Sequence, residues 1–207
     1  MTCAAGRLTL VAALAALAAL AGCDEEPTQP PARHSQPRLA QPPLAETVRD
    51  CGTAVYGRLA PTVRKDAVAA GPLALLVVDG ERRAAVEPSG VVKVLALVQT
   101  GETVTLVVPE GERRRLSLLY DFGPGPKRPL RLSDGTSSTR FNACTRSEEW
   151  AGGRPYPDPK ETQFNGGFFV RGAHCTTLEV WIDGRAGPLP LTLGFGTGGQ
   201  PCRAERL

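Results

Sequence analysis

The chain has 207 residues, with 24 basic against 21 acidic side chains and a formal charge of +3 at pH 7. That surplus, which falls further once Arg7 is removed with the leader, is too small for a nucleic-acid footprint, so no nucleic-acid partner is expected. Two histidines and a single methionine, Met1, exclude a blue-copper ligand set.

From Leu8 to Gly22 the chain carries no charge, Arg7 precedes the run, and the small residues Ala21 and Gly22 stand directly before Cys23. This is the pattern of an export signal. A helix over about 15 residues at ~1.5 Å each spans only ~22 Å, short of the ~30 Å bilayer core, so cleavage is expected rather than a permanent span. After Cys23 the composition turns to acids and prolines, with Pro27, Pro30, Pro31, Pro37, Pro42 and Pro43 among Gln, Ser, Arg and Ala. Residues 23–50 therefore read as a disordered tether, reaching at most ~80 Å if polyproline-like. Residues 51–207 have the size of one domain, and no internal repeat is visible.

The stretch Leu20, Ala21, Gly22, Cys23 resembles the lipobox of bacterial lipoproteins. The resemblance implies that residues 1–22 are a signal peptide cut before Cys23 and that Cys23 is lipidated. The protein is then anchored by lipid to the cell membrane, on its extracytoplasmic face. One acyl chain binds a membrane only marginally, whereas two or more anchor stably. An ordinary secretory signal with an incidental Cys23 is the alternative.

Cys3 leaves with the signal, so the exported part keeps Cys51, Cys144, Cys175 and Cys202, an even number in an oxidising compartment. Two disulfides are expected. Three pairings are possible; Cys175 with Cys202 is favoured because the two flank an apparent hairpin, which leaves Cys51 with Cys144. Zinc is disfavoured, since no pair is spaced C-x-x-C and His174 is the only histidine after the tether. Neither metal nor cofactor is expected.

Strand signals fill the rest. "GPLALLVVDG" is a short apolar run between turn residues, and "VVKVLALVQTGETVTLVVPEG" places two β-branched runs either side of Thr-Gly-Glu, which reads as a hairpin from about Val91 to Val108. "RRLSLLYDFGPGP", "STRFNAC", "GGFFVRG", "TTLEVWIDG" and "LPLTLGFG" follow, with Leu178, Val180 and Ile182 alternating against Glu179, Trp181 and Asp183. The predicted fold is all-β, a single antiparallel sandwich or barrel-like domain of about eight strands. Pro109, Pro129 and Pro190 would blunt strand edges. In "AETVRDCGTAVYGRLA", Val48, Val55 and Leu59 could share one face of a short helix, although Gly52 and Gly57 weaken it by ~1 kcal/mol each. Asn165, Gly166 and Gly167 read as a turn requiring positive φ.

From Val92 onward the chain also resembles a group of uncharacterised exported proteins of high-GC actinobacteria. The segments that carry this are "KVLALVQTGETVTLVVPEGERRRLSLLYDF", "RLSDGTSSTRFNAC", "TQFNGGFFVRGAHCTTLEVWIDGR" and "LTLGFGTGGQPC". It implies an extracytoplasmic β domain with cysteines at these places, and no mechanism.

No G-x-S-x-G elbow is present, and His174, beside Cys175, reads as a surface residue at a strand end rather than a base. The run Glu112, Arg113, Arg114, Arg115 reads as a solvated turn, with anionic headgroups or wall polymers as the rival contact. The segment "TRSEEWAGGRPYPDPKETQ", about 20 residues, exceeds an ordinary strand connection. It brings Trp150 and Tyr156, whose rings suit a sugar or a protein partner, together with Glu148, Glu149, Asp158 and Glu161. The expected function is a binding or interaction module at the cell envelope, not an enzyme, with an envelope protein or glycan as partner. A carbohydrate-active hydrolase using acids of this loop, or a structural component of an envelope assembly, are the alternatives.

Overall fold

The computed structural model describes residues 41–59, 67–77, 90–121, 128–150, 153–158, 160–196 and 202. The predicted signal, Cys23 and the tether as far as residue 40 lie outside the described residues. Among the described residues thirteen strands run in chain order: β1 (Thr47–Arg49), β2 (Val68–Ala70), β3 (Leu73–Val77), β4 (Val91–Gln99), β5 (Thr103–Val107), β6 (Leu116–Leu118), β7 (Ser138–Asn142), β8 (Glu149–Trp150), β9 (Arg154–Pro155), β10 (Glu161–Phe164), β11 (Gly167–Val170), β12 (His174–Ile182) and β13 (Leu189–Phe195). Short 3-10 turns occupy Cys51–Thr53, Glu110–Glu112 and Leu132–Asp134.

Among the described residues two large sheets, besides the two-stranded β8/β9 ribbon, make an all-β, sandwich-like arrangement with no closed barrel. One has the order β1-β7-β5-β12-β13, antiparallel except where β1 lies parallel to β7. The other has the order β2-β3-β4-β11-β6, with β10 pairing the second half of β4. The alternation expected of β12 holds: Leu178 and Val180 are buried, whereas Glu179 and Trp181 face outward, the indole N–H donating to the Glu179 carboxylate at 3.0 Å. Val92, Val94, Ala96 and Val98 of β4 join them in one core. The intervening Leu95 and Leu97 are also buried, in a smaller cluster with Leu76 on the opposite face of β4. Burial on both faces explains why this strand is a nearly continuous apolar run.

An aromatic spine runs through the core. Tyr120 meets Phe141 edge-on at 5.0 Å between centroids, Phe141 meets Phe164 at 5.3 Å, and Phe168 meets Phe195 at 5.3 Å, all fully buried. Each such ring contributes roughly 1.5–3 kcal/mol by leaving water. The Tyr120 hydroxyl donates to the Val94 carbonyl at 3.1 Å, and burial raises its pKa.

Both expected disulfides form, Cys51–Cys144 and Cys175–Cys202, the second pinning the end of the β12/β13 hairpin.

Four sequence expectations are corrected. β4 and β5 are strands but not a hairpin: they belong to different sheets, and Thr100–Glu102 carries the chain between layers. The turn closes with the Glu102 N–H on the Gln99 carbonyl, while the Thr100 and Gly101 amides bond to Lys160 and Cys144, so its donors serve other segments instead of a cross-strand ladder. The expected helix is a strand, β1, followed by one 3-10 turn; Val48 is 53 % exposed instead of packed. β1 also lies inside the stretch read as tether, so ordered chain begins before residue 51. Finally, Gly166 and Gly167 are not among the positive-φ glycines. What they need is space, since a Cβ at Gly166 would sit 2.2 Å from the Tyr120 ring and one at Gly167 2.0 Å from the Val92 carbonyl oxygen.

Candidate functional site

The long segment singled out for its aromatics folds back on the sandwich. β8 and β9 pair as a two-stranded ribbon, with Glu149 opposite Pro155 and Trp150 opposite Arg154. Trp150, Tyr156 and Tyr56 form a triangle of edge-on contacts, with centroids 5.7, 6.2 and 6.4 Å apart. Tyr156 is 8 % exposed; its hydroxyl donates to the Val55 carbonyl at 2.7 Å and accepts from the Gln163 amide at 2.8 Å. Burial is the main reason its phenol is pushed up to about 12. Gln163 completes the clamp. Its side-chain amide donates to the Gly57 carbonyl at 2.9 Å and its carbonyl accepts from the Gly57 N–H at 3.0 Å, holding Val55–Gly57 as a makeshift strand.

Arg49, 3 % exposed, secures the same corner. Its guanidinium donates to the Thr53 hydroxyl and carbonyl, and to the carbonyls of Tyr120 (2.6 Å) and Asn165 (3.3 Å). Burial lowers its pKa, and the Phe164 ring lies 5.8 Å below it. The Cys51–Cys144 bridge closes the arrangement. Two acids of the loop are occupied locally: Glu148 accepts from the Thr145 amide at 2.7 Å and Asp158 from the Lys160 amide at 2.9 Å. Thus Tyr156 is a buried post; the aromatic surface that reaches solvent is Tyr56, 40 % exposed, beside the half-buried Trp150.

A second place has the opposite character. An open groove of about 450 Å³ lies among the turn after β5, the residue following β11 and the 3-10 turn at Leu132–Asp134. Arg113, Arg131 and Arg171 line it, with Ser133 at its side. Its apolar lining is Leu130, Leu132 and Phe169. Phe169 forms part of the groove's wall while only 8 % exposed: Phe168 and Val170 of β11 belong to the common core, and Phe169 does not.

Local bonds fix the groove's edges. The Arg113 Nε–H donates to the Val108 carbonyl at 3.1 Å, the Arg171 amide to the Arg115 carbonyl at 2.8 Å, and the Arg131 amide to the Asp134 carboxylate at 2.7 Å. Among the described residues none of the three guanidiniums makes an ion pair. Asp134 feels the charge of Arg131 but forms its ion pair with another arginine. Asp134 is held by the two-pronged guanidinium of Arg128 at 2.7 and 2.8 Å, which, with the Arg131 amide, takes its carboxyl down to about 2. Glu112 faces the His174 ring, Oε2 to Nε2 3.6 Å. That ring is 6 % exposed and lies 5.9 Å from Phe195, so the histidine expected at the surface is covered.

The sequence drew attention to Arg113 through its charge run, but Arg131 and the Phe169/Arg171 pair lie far from it and from each other in the chain and give no shared signal. The fold and the groove together define a class, a disulfide-bonded β-sandwich with a cationic surface concavity. Comparison with protein-family models, curated proteins and solved structures finds no match to the chain.

Proposed function

We propose that the protein is a lipid-anchored β-sandwich held on the extracytoplasmic face of the cell membrane, where it works as a binding module and not as a catalyst. One observation carries the binding role: a solvent-open groove is lined by three arginines, none of which forms an ion pair among the described residues. Like charges sharing a concavity repel one another, and an incoming anion relieves that repulsion while gaining forked hydrogen bonds. The address is supported by the Leu20–Cys23 pattern, the proline-rich stretch behind it and the paired cysteines.

Metabolic labelling with a fatty acid, followed by fractionation and intact mass, tests the address. The parent is expected in the membrane fraction, cut before Cys23 and carrying acyl mass. Cys23→Ser is expected to lose both label and processing, and unchanged membrane attachment and mass would refute the anchor. Crosslinking in native envelopes tests the role: replacing Arg113, Arg131 and Arg171 together by Gln is expected to abolish the captured species, and identical capture would count against the groove.

A further inference from the structure

We propose that the groove receives the phosphate headgroup of an anionic phospholipid, the guanidiniums of Arg113, Arg131 and Arg171 taking the phosphate while Leu130, Leu132 and Phe169 support the glycerol and first methylenes. This rests on the binding-module reading above and names its ligand. Three features of the site point to this chemistry. First, the lining holds three cations and no acid, and its one further polar side chain, Ser133, carries a hydroxyl suited to the same oxygens. Guanidinium matches phosphate geometry with paired donors. Arg113 spends only its Nε–H on the Val108 carbonyl, which orients the plane and leaves the terminal nitrogens for a ligand.

Second, a bare inorganic anion would have no use for the apolar lining, and a sugar-phosphate polymer would set hydroxyls against it; a lipid places hydrocarbon there. Third, the volume of about 450 Å³ suits a headgroup with its glycerol, and the groove is open to solvent, as docking onto a surface demands. The lipid anchor proposed at Cys23 would hold the domain beside a bilayer, so even a modest intrinsic affinity is raised by effective concentration.

The test is calorimetric titration of the purified full-length protein with dihexanoyl-phosphatidylglycerol below its micelle concentration, with dihexanoyl-phosphatidylcholine and with inorganic phosphate in parallel. Saturable binding of the anionic lipid is expected, with each comparator weaker by about tenfold or more. Arg113→Gln and Arg171→Gln should each weaken the lipid by about tenfold. Leu132→Asn should weaken the lipid and leave inorganic phosphate unaffected. Arg185→Gln, on the β12/β13 turn, should change nothing. Equal affinity for the two lipids would overturn the proposal, as would equal affinity for inorganic phosphate, which would make this a simple anion site. Parental binding by the folded Gln variants would do the same. Because these titrations are done with soluble lipid, they stand apart from the Cys23→Ser outcome: an anchored protein with an indifferent groove and an unanchored one with a selective groove give different results.

Discussion

The corner built on Arg49, Tyr156 and Gln163 and the groove lined by Arg113, Arg131 and Arg171 use the same kinds of polar side chain to opposite ends. In the corner the described polar groups are turned inward onto carbonyls and amides, and a disulfide closes over them. In the groove only the Arg113 guanidinium is tied to a carbonyl, through its Nε–H, while Arg131 and Arg171 are fixed through their main-chain amides and none of the three forms an ion pair among the described residues. Aromatic and acidic content in a long loop is therefore a poor guide to a site here; whether a charge has already been answered within the fold is the better one.

That contrast makes an ordered set of predictions for stability. Removing the Cys51–Cys144 bridge, which closes a separation of 93 residues, should cost the most, about 4–5 kcal/mol in the chain-entropy picture, read as a fall in the urea midpoint. A loss below about 1 kcal/mol would mean that the corner is held by its hydrogen bonds alone. Arg49→Met should cost about 3 kcal/mol, because the buried Tyr120 carbonyl and the partly buried Thr53 carbonyl lose a charged donor.

Tyr156→Phe, which keeps the ring, should cost about 1–3 kcal/mol by orphaning the Val55 carbonyl and the Gln163 amide. The same phenol gives a pH signature. Its native pKa of about 12 lies above the ordinary value of 10, so its contribution is complete below pH 10 and is lost as pH rises from 10 through 12. Spectrophotometric titration should show a Tyr156 component ionising above the ordinary tyrosine range, and the phenylalanine variant should lose that part of the alkaline decline.

On the groove side the expected stability effects are small. Arg131→Gln and Arg171→Gln should stay within about 0.5 kcal/mol of the parent, since both side chains are exposed and neither forms an ion pair among the described residues. A large loss would erase the distinction between the two regions. The smallest effect is local: Asp134 should titrate near 2 by carboxyl NMR and return toward 3.8 in Arg128→Gln. Asp134 supports the native state above its ordinary pKa, and that support fades as pH falls through 2.

The alternation of Leu178 and Val180 against Glu179 and Trp181 made β12 legible from residue types alone, and the cysteine flanks of the β12/β13 hairpin suggested the right bridge. The Val91–Val108 stretch shows where such reading ends. A Thr-Gly-Glu connection between two β-branched runs serves equally to fold a strand back beside its predecessor or to pass it to the facing layer, and the choice is made by Cys144 and Lys160, distant in sequence. Gly166 and Gly167 likewise look like turn residues until the Tyr120 ring and the Val92 carbonyl stand next to them. The groove was hardest to foresee, because proximity of Arg113, Arg131 and Arg171 is a product of the folded sheets and has no local motif.

The crossing at Thr100–Glu102 has a consequence for how the chain assembles. β5 lies between β7 and β12, so a segment that leaves the ribosome directly after β4 must wait for residues 138–142 and 179–182 before any of its ladder exists. Sequence-adjacent pairs such as β2/β3, β3/β4 and β12/β13 can zip early. Refolding should therefore be slow for a chain of this size, and its rate should rise when the Cys51–Cys144 bridge is left intact to shorten the search.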